Sequence, residues 1–410
     1  MKLFSAQHLD ALISEIDAAG GPAASGFWEQ WAHMQYQPTS QNVLDLDPYS
    51  PAYTAHMLAI YKELAGDGEY TAATDEMLEF DLEAHVLPFS AYGNIAPRQI
   101  ALHHERLARA IRHANLPSGA SVLDMGCGWG LSSEFLAQCG FKVTAVDINP
   151  RFVELVARRA KRLGYPITTV LSSFQEFRSD VRFDAVLFYE CLHHEKQPWT
   201  LLTKLDGLLT SRGKILLAGE PIQDFYWKHW GLRLDVLSVY CIRKFGWFES
   251  GWSLTFLKDM LARAGFLTAA YASEDPEVGL VICAERPNRP LGARDLEQFT
   301  NSTEWYREGE YLTSKGSATL NLSLPPSLRN LSLIIHNFRG RPISFHARTG
   351  EIVLFVGSLS PGENVVQINI SPGMQELELI GETWLPAIEL GTPDMREISF
   401  HLSGIKFESP

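Results

Sequence analysis

The chain has 410 residues, 46% of them hydrophobic and 20% charged, which is enough apolar material for two or three packed domains and excludes a disordered or fibrous chain. Its formal charge of −13, without a dominant cluster of Lys and Arg, argues against a nucleic-acid partner, because phosphate backbones are gripped by clustered cations. No apolar run is long enough to cross a bilayer, Met1 to Ala6 leads into no signal-peptide core, and the five scattered cysteines form no C-x-x-C pair, so a reducing, cytoplasmic compartment is expected.

Up to about Asn115 the pattern is helical, with Leu9, Leu12, Ile13 and Ile16 on one face and Ile100, Leu107 and Ile111 on another. Residues 1–106 are expected to form a helical cap over the next domain, with a packing appendage that has no role in the site as the alternative. From Ser121 to about Arg286 short β-branched strands alternate with helical stretches, the α/β pattern of a parallel sheet with crossover helices. The expected strands are Ser121 to Asp124, Lys142 to Val146, Ile167 to Leu171, Asp184 to Phe188, Lys214 to Ala218, Leu267 to Ala272 and Gly279 to Ala284. The last two are separated only by Ser273 to Val278, short enough for an antiparallel hairpin. Beyond Pro287-Asn288-Arg289-Pro290, short strands at Ala318, Leu331, Ile343, Ile352, Asn364, Gln375 and Ile398 predict an antiparallel β-sandwich domain over 291–410.

The strand Ser121 to Asp124 ends in an acid and runs into Met125-Gly126-Cys127-Gly128-Trp129-Gly130, then into the helical stretch Leu131 to Gln138. Glycines are needed where a tight strand-to-helix turn brings bare backbone against a ligand. A dinucleotide loop would require glycine where Leu131 stands, and the spacing here is G-x-G-x-G instead. An acid two residues before the first glycine suits a ligand without a pyrophosphate but with cationic ammonium and sulfonium groups. Asp124 is expected to serve the amino-acid end of that ligand, directly or through the loop. Asp147, 23 positions later at the tip of the second strand, stands where a ribose diol is held by paired hydrogen bonds.

With these residues the sequence resembles the class I S-adenosylmethionine-dependent methyltransferase family. The matching stretches are Val122 to Gly130, Ala145-Val146-Asp147-Ile148, Phe183-Asp184-Ala185-Val186 and Leu208 to Lys214, the last holding the family's glycine turn before strand five. The resemblance covers about Leu107 to Arg286 and implies a Rossmann-like seven-stranded methyltransferase sheet over 107–286. It also implies S-adenosylmethionine as the cofactor, held by Asp124, Gly126, Cys127, Gly128, Gly130, Asp147 and Ile148. Where the family often has an acid beside the adenine, this chain has Ser172-Ser173-Phe174-Gln175, so Ser173 and Phe174 are the adenine contacts carried over.

Methyl transfer to a hydroxyl requires alignment of an acceptor lone pair and removal of its proton. Strand four leads into Tyr189-Glu190-Cys191-Leu192-His193-His194-Glu195, and strand five into Gly219-Glu220-Pro221. His194, placed like a histidine that many family members carry after strand four, is the expected base, with His193 in reserve. Glu190 and Glu220 are expected to orient the acceptor, the alternative for each being a buried ion pair or helix cap. The spacing of Glu190, His193 and His194 matches no metal signature, and no metal is expected. The Asn-Pro-Pro-Tyr type of sequence found in the family's enzymes for planar amines is absent, which points to oxygen as the acceptor.

Residues 221–251 are long for a connection and rich in aromatics (Phe225, Tyr226, Trp227, Trp230, Tyr240, Phe245, Trp247, Phe248), which predicts a lid over a sugar. A helical insertion with its own core, or the contact of a homo-oligomer, is the alternative. Lys228, Arg233, Arg243 and Lys244 are expected to hold a phosphate or uronate. The strand-end motifs and this insertion resemble a methyltransferase subgroup associated with bacterial polysaccharide assembly, implying a saccharide acceptor, free, nucleotide-linked or lipid-linked. Two other readings stay open: methylation of another small molecule, and a glycan-binding scaffold whose α/β domain is inactive.

Overall fold

The apolar runs bounded by turn residues become β1 (Ser121–Met125), β2 (Lys142–Asp147), β3 (Ile167–Leu171), β4 (Phe183–Tyr189), β5 (Leu209–Ala218), β6 (Leu267–Tyr271) and β7 (Val281–Glu285). The structure is a computed structural model that describes residues 2–24, 26–39, 45–66, 69–93, 96–223, 227–301 and 303–408. The seven strands form one sheet in the order β6-β7-β5-β4-β1-β2-β3, so the expected Rossmann-like sheet is present. The pairs β1–β2, β2–β3 and β1–β4 run parallel. Val122, Leu123, Asp124 and Met125 have no exposed surface, as in a strand covered on both faces, which explains why β1 reads as a continuous rather than alternating run. The chain moves to one side of β1 for β2 and β3 and to the other for β4 and β5, so a crevice opens beyond the carboxyl ends of β1 and β4. Gly213, expected in a turn before strand five, lies inside β5, which starts at Leu209.

Ahead of the sheet come helices Leu9–Ala18, Pro51–Ala65 and Pro97–Ala114, the first burying Leu9, Leu12, Ile13 and Ile16. Ser50 caps the second by accepting from the Tyr53 N–H at 3.2 Å, and Pro51 takes the first helical position. Two three-residue strands, Lys2–Phe4 and Met34–Tyr36, pair in parallel and were not expected, since so short a segment shows no period. Among the described residues of 221–251, the expected aromatic lid is instead a packed insertion. Trp230–Leu232 pairs antiparallel with Ser250–Trp252, helix Val236–Phe245 lies between them, and Trp227, Trp230, Tyr240 and Phe248 are buried. Phe225 and Tyr226 lie outside the described residues.

After β7 the expected strands fall into two antiparallel sheets. One contains Trp305–Glu308, Tyr311–Ser314, His401–Glu408, Asn330–Asn337 and Gly362–Asn369, with Leu291–Gly292 paired to the third; the other contains Ser317–Leu320, Leu377–Gly381, Ile343–Thr349 and Ile352–Leu359. Both feed one buried cluster, for example Leu331, Leu333 and Ile335 from the first and Ile343, Phe345 and Ala347 at period two from the second. The hairpin of Trp305–Glu308 and Tyr311–Ser314 was missed because its charged residues and Gly309 read as a loop.

The chain divides into two compact units, 1–210 with 215–257 and 272–281, and 211–214 with 258–271 and 282–410. No helix among the described residues is long and apolar enough to cross a membrane, and all five cysteines are free.

Within the first unit, Arg159 on helix Pro150–Leu163 has no exposed surface. It pairs with buried Glu134 and donates to the carbonyls of His85, Pro88 and Phe89 at 2.8, 2.8 and 3.0 Å, anchoring the segment that leads to Tyr92. Arg159→Leu strands the Glu134 carboxylate in the interior, and we expect it to lower the unfolding free energy by about 3–5 kcal/mol. Urea titration checks this, and Glu134→Leu added to the same chain should restore part of the loss.

Candidate active site

The carboxyl end of β1 turns through Gly126 to Gly130 into helix Leu131–Gln138. The N–H groups of Gly126 and Cys127 donate to the Val146 carbonyl at 2.8 and 3.0 Å, and the Gly130 N–H closes the turn onto the Cys127 carbonyl at 2.8 Å. Gly126 has φ +72°, and a Cβ there would stand 2.9 Å from Cβ of Cys191 and 3.0 Å from the Phe174 ring, so a side chain is excluded. Asp124 accepts from the Ser132 and Ser133 hydroxyls at 2.7 and 2.5 Å through Oδ2, while its buried Oδ1 has no hydrogen-bond partner among the described residues. Burial pushes its pKa up to about 6, against the two serines.

A cavity of about 690 Å³ opens beyond this loop, lined by residues of the first unit alone. Gly126, Cys127 and Gly128 line it, as do Asp147, Ile148, Ser173 and Phe174; Asp124 and Gly130 stand behind the lining. The Gly128 and Asn149 N–H groups donate to the two oxygens of Asp147, each at 2.8 Å, and burial pushes this acid up to about 6 against those donors. Each oxygen keeps a further lone pair for a ribose hydroxyl. Glu176, an acid one position beyond Ser172-Ser173-Phe174-Gln175, also lines the cavity and accepts from the Ser173 hydroxyl at 3.0 Å. The unsatisfied Asp124 oxygen, the close backbone approach at Gly126 and the Asp147 acceptor pair fit S-adenosylmethionine in this loop.

Glu190 follows β4 with φ +52° and lines the cavity. Its Oε1 accepts from Arg106 of helix Pro97–Ala114 at 2.5 Å, and burial pushes its pKa up to about 7 against that arginine. Arg106 is itself held by the carbonyls of Val278 and Glu277 at 3.2 and 2.6 Å. Tyr189 shares a 2.5 Å hydrogen bond with Nδ1 of His103, whose ring stacks on Tyr92 at 5.2 Å; burial pushes both tyrosines up. Tyr92, His103 and Arg106 escaped sequence reasoning because nothing in a helical pattern shows which residue meets a strand end 84 positions away.

His194 lines the cavity, with Nδ1 3.1 Å from the Phe248 carbonyl and 3.4 Å from Oε2 of Glu76. Burial favours its neutral form, yet Glu76, Glu249 and Glu220 outweigh it and raise the pKa. His193 and Glu220, expected with His194 at the acceptor, pair with each other. Neither lines the cavity. Glu220 accepts from the N–H groups of Cys191 and Leu192 at 2.9 Å each and of His193 at 3.2 Å, and from Nδ1 of His193 at 2.9 Å. Burial opposes its charge, but His193 and those N–H donors hold it below its usual value. It thereby caps the turn Leu192–His194, the alternative expected for it from the sequence.

The cations expected to grip a phosphate do not line the cavity either. Arg243 pairs with Asp10, Lys244 with Asp17, and Arg233 with Asp235, each at 3.2 Å or less, while Lys228 is exposed. Of the insertion's aromatics among the described residues, Trp247 alone reaches the lining. His193, His194 and Glu249 bring ligand atoms within 4.8 Å of one another, a grouping that sequence spacing did not show; Arg233, 3.6 Å from Glu249, supplies positive charge there.

Residues 123–217 match the family whose description is "Methyltransferase domain". The match spans β1 to β5 and thus the glycine loop, Asp147 and the His193-His194 turn. Among relatives, the ubiquinone biosynthesis O-methyltransferase of Xanthomonas axonopodis pv. citri is 35% identical over 104 residues, covering 25% of this chain and 44% of that protein. The mitochondrial ubiquinone biosynthesis O-methyltransferase of Schizosaccharomyces pombe is 31% identical over 115 residues, covering 27% and 42%. The chain thus spans less than half the length of these two relatives. Among solved structures, 1,6-didemethyltoxoflavin-N1-methyltransferase of Burkholderia thailandensis, with bound S-adenosylhomocysteine, is similar at 24% identity and a TM-score of 0.37, over 46% of this chain and 80% of that one.

Asp147 titrates higher in the fold than its ordinary value of 3.8, so its proton contributes stability to the ligand-free fold in full below pH 3.8, and that contribution is lost as pH rises through about 6. A ribose diol donates to the ionised form. Calorimetry with S-adenosylmethionine should therefore show affinity falling as pH drops from 7.5 to 5, and Asp147→Asn should weaken binding by about 10-fold or more at pH 7.5 and flatten the pH dependence. Unchanged affinity in the variant would remove Asp147 from the cofactor site.

Proposed function

We propose that this chain is an S-adenosylmethionine-dependent O-methyltransferase acting on a small acceptor without phosphate groups. One observation carries the proposal: the glycine loop braced by Asp124 and Asp147 and the imidazole of His194 border the same cavity. Gly126, Cys127, Gly128, Asp147, Ile148, Ser173 and Phe174 hold the cofactor, with Asp124 and Gly130 shaping the loop from behind. S-adenosylmethionine held by these residues would supply an electrophilic methyl group with a neutral thioether as its leaving group. The Phe248 carbonyl and Glu76 both face Nδ1 of His194 as acceptors, so Nδ1 carries the hydrogen and Nε2 is the free base. Nε2 takes the acceptor's hydroxyl proton, and the oxygen keeps the electron pair with which it attacks. Glu190, held by Arg106, positions the acceptor hydroxyl.

The cavity lining is acidic, with Glu76, Asp147, Glu176, Glu190 and Glu195 against Lys196. A phosphorylated acceptor would be repelled, so nucleotide sugars give way to neutral hydroxyl compounds. Tyr70, Tyr92 and Trp247 offer ring faces to either a sugar or a phenol. The O-methyltransferase names of the two relatives support oxygen as the acceptor atom.

Labelled S-adenosylmethionine incubated with neutral saccharides, phenols, nucleotide sugars and small amines tests the reading. We expect label in a neutral hydroxyl compound, and His194→Ala to lower turnover by roughly 10²–10⁴-fold with cofactor affinity retained. Label in amines or nucleotide sugars alone would overturn the acceptor assignment.

A further inference from the structure

We propose that Glu76 is a positioning residue for His194, so that the segment ahead of the sheet completes the proton-accepting machinery; the inference rests on His194 acting as the base. Glu76 lies 48 positions before the glycine loop begins at Asp124 and belongs to no motif (124 − 76 = 48). Its side chain is only 13% exposed, and both its oxygens are engaged. Oε1 accepts from the Tyr70 hydroxyl at 2.8 Å and from the Phe248 N–H at 2.9 Å, while Oε2 stands 3.4 Å from Nδ1 of His194. The Tyr70 hydroxyl is also 3.1 Å from the His194 carbonyl, and the Phe248 carbonyl accepts from Nδ1. Tyr70, Phe248 and Glu76 therefore enclose one edge of the imidazole with two acceptors and a fixed geometry. Before proton transfer this arrangement selects the Nδ1–H tautomer. After it, the Nδ1–H of the imidazolium faces a largely buried carboxylate, where attraction between opposite charges is stronger than at the surface. Burial pushes the Glu76 carboxyl up, while His194, the Phe248 N–H and the Tyr70 hydroxyl pull it down.

Other groups face His194 as well. His193 lies beside it on the same turn, with ring centroids 4.2 Å apart, and Glu220 stands behind His193. The insertion contributes Glu249 and Trp247. Lys196 lies over the Tyr70 ring at 5.2 Å. Of the carboxylates, Glu76 is the one with an oxygen within 4 Å of a His194 ring nitrogen among the described residues.

The test is a titration of His194 by ¹⁵N-histidine NMR in the full chain, with the signal assigned by His194→Asn, alongside the pH profile of kcat. In Glu76→Gln we expect the His194 midpoint to fall by about one pH unit, the usual effect of removing one close opposite charge. The acidic limb of kcat should move down by the same amount, because the neutral imidazole is the active form, while kcat at neutral pH falls about 10-fold to 100-fold and KM for the acceptor changes little. Glu76→Asp should recover part of both. A lower kcat with an unmoved His194 midpoint would assign Glu76 a merely structural role and overturn the proposal. Should Glu76→Gln fail to fold, Tyr70→Phe removes the donor to Oε1 and should move the midpoint the same way by less; no movement there overturns it equally. A shifted midpoint in a protein that methylates no acceptor would instead leave the pairing intact and sink His194 as base.

Discussion

Asp124 and Asp147 end neighbouring parallel strands almost out of reach of water, a placement that costs free energy unless donors meet each oxygen. Asp147 meets this condition with two backbone N–H groups, one of them from the glycine loop of the adjacent strand. Asp124 meets it with two hydroxyls from the helix that follows the loop, and only in part. The loop is therefore suspended between two carboxylates, and its shape follows from theirs. The same burial that makes the acids expensive leaves an oxygen wanting a donor beside a cavity, which is what a ligand carrying hydroxyl and ammonium groups supplies.

A third carboxylate plays the equivalent part after β4 and β5. Glu220, at the end of β5, gathers three consecutive backbone N–H groups after β4 and the ring of His193. This fixes the turn that presents His194. Immediately before it, Glu190 adopts a left-handed backbone that is uncommon for a residue with a long side chain. Gly219 accommodates this: a Cβ there would stand 2.5 Å from Cγ of Glu190, and its own φ is +73°. Strain at Glu190 and the absence of a side chain at Gly219 are thus one feature, and together they turn a carboxylate into the cavity.

The sheet was legible because its strands are short segments rich in apolar and β-branched residues with sharp ends, and six of the seven lie within two residues of their expected starts. The exception, β5, begins five residues early because Thr210 to Arg212 are polar and partly exposed, which hid the strand under a turn-like composition. The loop residues were legible for a related reason: glycines and acids at strand ends have few structural substitutes. Roles at the acceptor side were not. Glu190 and Glu220 occupy equivalent positions after adjacent strands, and only the three-dimensional path of the backbone separates the one that lines the cavity from the one that caps a turn. The cations of residues 221–251 misled in the same way, since a charge seen in sequence carries no sign of the acid it meets, and Asp10 and Asp17 stand more than 220 positions away.

The residues ahead of the sheet then take on a different meaning from that of a cover. Tyr70, Glu76, Tyr92, His103 and Arg106 all belong to this part of the chain, and each touches either the cavity or a side chain that lines it. The sheet by itself brings a loop, a histidine and two acids to one crevice. What it lacks is a partner for Glu190, an orienting group for His194 and ring faces to shed water, and these come from segments whose own pattern is only helical. A catalytic imidazole on a strand-end turn needs its idle nitrogen held, because a ring free to rotate presents the wrong tautomer as often as the right one. The glycine loop and Asp147 are thus placed by the parallel strands, whereas the partners of Glu190 and His194 come from the residues that precede them, and Phe80 and His85 of that segment also pack on Trp129 of the loop.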